Sequence, residues 1–91
     1  MVIDTSVLVA ILTGEPEMVP FIRRLEAEPT LQMSAPSLIE ATAVMLGRSG
    51  PRAVSDLNDY IEAARIDIIP VSVSQARLAQ QAYLNYGRGA A

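Results

Sequence analysis

Two carboxylates stand where chemistry could be done in this chain. Asp4 directly follows an apolar opening, Met1-Val2-Ile3, that reads as a short buried strand, and an apolar helix begins just after it. In open α/β sheets ligands gather at the carboxyl ends of parallel strands, so an acid there faces the usual place for a reaction. Asp4, Thr5 or Ser6 could equally cap the next helix by accepting from its unpaired N–H groups. Glu40 is the second acid, the only charge in the greasy run Ser37-Leu-Ile-Glu-Ala-Thr-Ala-Val-Met-Leu46. A lone carboxylate on such a helix is costly unless it is paired, solvated by a cleft or bound to a cation. Either it reaches water at the rim or it lines a site.

What the chain lacks narrows that chemistry. It has no histidine and no cysteine among its 91 residues. The commonest general base and the commonest transition-metal ligand are therefore missing, along with any thiol nucleophile or disulfide framework. A metal would have to be held by oxygens, which favours Mg²⁺ or Mn²⁺. All seven basic residues are arginine, which excludes Schiff-base chemistry and a P-loop lysine. The Gly-x-Gly-x-x-Gly of a dinucleotide fold is replaced after the first strand by Asp-Thr-Ser-Val. An aspartyl-phosphate phosphatase would want a second Asp two residues after the first, where this chain has Ser6. Two separated carboxylates remain. They suit a hard divalent ion that activates water and stabilises charge on a phosphoryl oxygen.

The elements that position these acids follow from pattern. Half the residues are hydrophobic and only 4% aromatic, a composition suited to helices packed on a buried parallel sheet. After the first strand, 7–12 allows about two helical turns before Gly14. Met18, Phe21, Ile22 and Leu25 fall at helical spacing in a helix over 16–28, and 30–34 reads as a second strand. Pro36 opens the helix that carries Glu40, which is apolar nearly all round and so expected to be buried on most sides. A helix over 51–65 shows Val54, Leu57, Ile61 and Ala64 on one side and Asp56, Asp59 and Glu62 on the solvent side. Residues 66–71 form a third strand, with Pro70 marking a sheet edge. Ser74, with Ser72, caps a last helix whose apolar side is Ala76, Ala79, Ala82, Tyr83 and Tyr86. Strands alternating with helices give an α/β sheet in one domain over 1–91. No run of eighteen apolar residues or cleavable leader is present, so a soluble, cytoplasmic protein without membrane contact is expected.

Met-Val-Ile-Asp4-Thr5-Ser6, then Ser34-Ala-Pro-Ser-Leu-Ile-Glu40, then Tyr83-x-x-Tyr86-Gly-Arg-Gly together resemble a PIN domain, most of all the VapC toxin ribonucleases of VapBC toxin–antitoxin modules. The resemblance runs through all 91 residues in order. It implies an α/β/α sandwich around a central parallel sheet and an endoribonuclease dependent on Mg²⁺ or Mn²⁺. By this match Asp4 and Glu40 are the catalytic, metal-binding acids, with Thr5 and Ser6 as supporting hydroxyls. Arg88, with Arg48 or Arg52, is the candidate contact to RNA phosphates, or else ordinary surface charge. The resemblance further implies a VapB-type antitoxin and a homodimer. The apolar faces over 16–28 and 51–65 are expected either to form the antitoxin groove or simply to be core. Family members continue past the Tyr-Gly-Arg-Gly segment into the last strands and further acids. The expectation is thus an incomplete domain with C-terminal strands missing and half a metal site, inactive alone. The rival reading is a PIN-like module that only binds a protein partner.

Overall fold

The computed structural model describes the backbone of residues 1–90 and the side chains of 1–85. Its elements are α1 (Thr5–Leu12), a 3₁₀ turn (Pro16–Met18) leading into α2 (Val19–Glu26), β1 (Leu31–Ser34), α3 (Ala35–Ser49), α4 (Pro51–Ala63), β2 (Ile66–Ile69) and α5 (Val73–Ala90). Strands do alternate with helices, and β1 and β2 pair in parallel, with Leu31 opposite Ile66 and Ser34 opposite Ile69. The fold is α/β with a parallel sheet.

The opening segment is less regular than the sequence suggests. Residues 1–3 make a single parallel bridge, Val2 to Gln32, rather than a full strand. The bridge is nonetheless well bonded: Ile3 N–H donates to the Gln32 carbonyl at 2.8 Å and Gln32 N–H to the Met1 carbonyl at 2.9 Å. The terminal ammonium of Met1 adds a bond to the Thr30 carbonyl at 2.9 Å. β1 is therefore the middle of three parallel segments. Pro70 closes β2, since it has no N–H to continue a ladder.

Alternation along these segments sends one set of side chains inward. Ile3, Leu31, Met33 and Ile66 join Leu8 of α1, Leu25 of α2, Ala41 of α3 and Leu57 of α4 in one core cluster. Val2, on the opposite side, is 72% exposed. The helical stripes expected on α2 and α4 are part of this core: Phe21, Tyr60, Ile61 and Ala64 pack against it. They also border an open cleft of about 380 Å³ between the ends of α2 and α4, lined by Leu25, Glu26, Pro29, Leu31, Tyr60 and Ala64, so these faces are core that edges a groove. Asp56, Asp59 and Glu62 are exposed, as the spacing requires.

Two helices depart from expectation. α3 buries only Ala41 and Met45, while Ile39 is 71% exposed. Its packing is confined to the sides that meet α1, α4 and the strands. An all-round apolar helix need not be buried all round when the described neighbours cover one side of it. On α5 the apolar residues Val73, Leu78, Tyr83 and Leu84 are likewise exposed. Its start is well defined all the same: Ser72 Oγ accepts from Gln75 N–H and Gln75 Oε1 from Ser72 N–H, a capping box. Ser72, not Ser74, is the capping residue. Among the described residues no single helix is long and apolar enough to cross a membrane.

Candidate active site

Parallel register brings the two acids to one edge of the sheet. Val2 lies opposite Gln32, so two residues on Asp4 is level with Ser34, and both stand at the carboxyl ends of their segments. Each then caps the helix that follows. Asp4 has extended backbone, φ −94° and ψ 171°, and its Oδ1 accepts from Val7 N–H at 3.0 Å and from Ser6 Oγ–H at 2.8 Å. Ser34 Oγ accepts from Ser37 N–H at 3.2 Å and opens α3, helped by Pro36 in its first turn. Glu40 follows in the second turn of α3.

The capping reading of Asp4 is therefore correct, and it is compatible with a second role. The Val7 N–H and the Ser6 hydroxyl hold the Asp4 carboxyl below the usual carboxylate range, against a smaller opposing effect of burial. Both bonds fall on Oδ1; among the described residues Oδ2 takes none. An ionised acid with one oxygen committed to the backbone and one uncommitted is a usable ligand for a hard cation.

Thr5 connects this acid to the other. It is buried, at 9% exposure, and its Oγ1 donates to the Ser37 carbonyl at 3.0 Å with Glu40 Oε2 at 3.4 Å. A hydroxyl has one proton to give, so the carbonyl bond is the principal one and the Glu40 contact the weaker partner. Thr5 thus ties the start of α1 to the first turn of α3, one helical turn before Glu40. Ser6 is exposed and bonds Asp4 rather than Glu40.

Glu40 itself is exposed and sits between two open clefts. One, about 350 Å³, lies between α1 and α3 and is lined by Thr5, Ser6, Glu15, Glu40, Val44 and Arg48 among others. The second, about 540 Å³, lies between the start of α3 and α5 and includes Pro36, Ser37, Glu40, Val71, Gln80 and Tyr83. Glu15 is an acid that sequence reasoning missed. It follows Gly14, whose φ of +72° turns the chain so that Glu15 N–H bonds the Ala10 carbonyl at 3.3 Å, back beside α1. A Gly-Glu-Pro turn after a short helix was the available signal. Asp67 lies exposed on the outer strand β2, and among the described residues no group of three acidic, His or Cys side chains is placed to hold one ion. The donor set is a pair of carboxylates of the hard-oxygen type, which fits Mg²⁺ or Mn²⁺ as far as it goes, since Mg²⁺ commonly keeps several waters and takes only one or two carboxylates. The side chain of Arg88 lies outside the described residues; Arg48 is in the first cleft.

The whole chain, residues 1–91, matches the PIN domain family. It is 38% identical over 89 residues to the VapC ribonuclease Mb2780c of Mycobacterium bovis, covering 98% of this chain and 68% of that protein. Ribonuclease VapC30 of Mycobacterium tuberculosis is similar to the same extent. Ribonuclease VapC of Mycolicibacterium smegmatis is 37% identical, with 69% of its length covered. A strand-end acid at Asp4, a parallel sheet and these relatives agree: the chain belongs to the PIN domain family, in its VapC branch.

Proposed function

We propose that the protein is the toxin of a toxin–antitoxin module and a Mg²⁺- or Mn²⁺-dependent endoribonuclease. The observation that carries this reading is the Thr5 hydroxyl set between the first turn of α3 and Glu40, directly beside the Asp4 cap. It ties Glu40 to the start of α1, next in sequence to Asp4, which supports a pair of oxygen ligands for a hard cation at this sheet edge. Asp4 and Glu40 would hold the ion. When bound, it supplies a more acidic water and stabilises charge on the scissile phosphate. The chain's own contribution is positional. Val7 and Ser6 keep Asp4 ionised, Thr5 anchors the turn that presents Glu40, and the cleft between α1 and α3 admits a substrate. Arg88 and Arg48 serve as phosphate contacts that orient the strand without reading its sequence. The names of the relatives, ribonuclease and VapC, support RNA as the substrate and a VapB-type antitoxin as the partner; the family reading, not the names, supports the cytoplasm as the location. A homodimer follows from the same family reading.

The test is cleavage of single-stranded RNA by the full-length protein with Mg²⁺, Mn²⁺ or chelator. Cleavage that needs the divalent ion and is lost in Asp4→Asn supports the assignment. Undiminished cleavage in chelator or in Asp4→Asn overturns it. A second reading, a PIN-like module that only binds a partner, is favoured by one observation: among the described residues no three acids are placed to hold one ion. Antitoxin binding without turnover at any metal concentration would select it.

A further inference from the structure

Glu40 lines both clefts and stands between them, so a strand laid across this acid would follow the two as a single trough. What stands along the trough differs on the two sides. On the α1 side, Glu40, Val44 and Arg48 follow at i, i+4 and i+8 along one face of α3. That places the guanidinium-bearing residue about 12 Å along the axis from the acid. On the α5 side, small and apolar residues, Pro36, Val71, Ala76 and Ala79, form the wall, and Tyr83 stands over them. Tyr83 is 79% exposed. Its neighbours one and two turns back on the helix are Ala79 and Ala76, too short to cover the ring.

Arg48 at one end, a Tyr83 ring left open by the described residues at the other, and Glu40 between them, with Glu15 on the α1 wall, are the equipment of a single-strand channel. Arginine tracks the phosphates, and an aromatic ring stacks on a base whatever its identity. We propose that a single RNA strand runs along this trough. Tyr83 stacks a base on one side of the scissile phosphate, and Arg48 contacts a backbone phosphate on the other. The proposal rests on the ribonuclease reading and adds the path of its substrate. Arg48 and Tyr83 are positioning residues for the strand; neither touches the reacting phosphate.

The test separates the path from the activity. Binding of a fluorescent single-stranded RNA is measured by anisotropy with full-length Asp4→Asn protein in Mg²⁺, alone and combined with substitutions at 48, 78 and 83. Cleavage by the otherwise unaltered protein is measured in parallel. Tyr83→Ala is expected to weaken binding about 5- to 150-fold, the equivalent of ~1–3 kcal/mol of stacking, and Tyr83→Phe to retain it. Arg48→Ala is expected to reduce the slope of log K against log salt by about 0.7, one phosphate of a single strand, and Arg48→Lys to restore it. Leu78→Ala, an equally exposed change on α5 away from the trough, should alter neither. Two results overturn the path: no RNA binding by Asp4→Asn protein, or parent-like RNA binding by Tyr83→Ala and Arg48→Ala. If the unaltered protein fails to cut RNA in Mg²⁺ or Mn²⁺, the ribonuclease reading itself falls, which the cleavage arm reports independently.

Discussion

Thr5 Oγ1 lies 3.0 Å from the Ser37 carbonyl and 3.4 Å from Glu40 Oε2, a junction between residues more than thirty positions apart. It makes the placement of Glu40 depend on a hydroxyl as well as on its own helix. Thr5→Val keeps the shape of this buried side chain and removes both contacts. The expected cost is about 1 kcal/mol. For a domain of this size that lowers the melting temperature by roughly 4–8 °C. Cleavage should fall as well, because Glu40 loses its tether, whereas Thr5→Ser should keep both properties. Melting curves and cleavage rates for the pair decide it. A Thr5→Val protein as active and as stable as the parent would show that the junction does nothing.

Asp4 does two jobs, and two substitutions separate them. Asn caps a helix about as well as Asp, whereas Ala costs about 1 kcal/mol at this position. Asp4→Asn should therefore melt close to the parent and Asp4→Ala roughly 4–8 °C lower. Both should lose RNA cleavage, since neither supplies a carboxylate. If Asp4→Asn retained activity, the residue would be a cap and nothing more.

Much of this arrangement is legible in the residues. Asp4 after Ile3 and Ser34 before Ala35-Pro36 mark two strand ends, and parallel pairing then forces them to one edge. Leu57 and Ile61 announce the buried side of α4 because helical period and burial agree there. The misses have physical causes. Burial of α3 and α5 depends on what is packed against them, and hydrophobicity alone does not say what that is. Ile39 and Tyr83 are apolar or aromatic yet open. Glu15 enters the cleft through a positive-φ turn at Gly14, a tertiary consequence that helical periodicity cannot carry. Residues 1–3 look like a strand by composition, but one bridge to Gln32 is enough to hold them.

The Asp4 cap also carries a pH signature. Its carboxyl is held below the ordinary value of 3.8, chiefly by the Val7 N–H and then by the Ser6 hydroxyl. A depressed pKa in the folded state means the charged form favours folding. That contribution is complete above the ordinary value and is lost as pH falls through the lower folded one. Melting temperature should drop on acidification below about pH 4. Asp4→Asn should flatten part of that drop. Tyr60 works in the opposite range: burial, and then the Glu26 charge, raise its phenol above 10.0. Its contribution is present below that value and disappears as pH rises through the higher folded one, so Tyr60→Phe should soften alkaline unfolding. Parallel acid and alkaline melting profiles in parent and variants would sink both assignments.

Metal binding can be read without following RNA at all. An ion that binds only the folded state stabilises it by RT ln(1 + [L]/Kd), about 1.4 kcal/mol at ten times Kd. In a domain this small, that is a rise of roughly 6–11 °C in melting temperature. Mg²⁺ and Mn²⁺ titrations of the full-length protein should both show the rise, and Ca²⁺ provides a useful contrast because it prefers a larger oxygen shell. Asp4→Asn leaves the cap in place, so it should remove the metal-dependent rise without lowering the metal-free melting point. Glu40→Gln should do the same while leaving the Thr5–Ser37 bond intact. A rise that survives in both variants would put the ion somewhere other than this sheet edge. A rise lost in Asp4→Asn but kept in Glu40→Gln would leave Asp4 as the ligand and assign Glu40 to the trough alone.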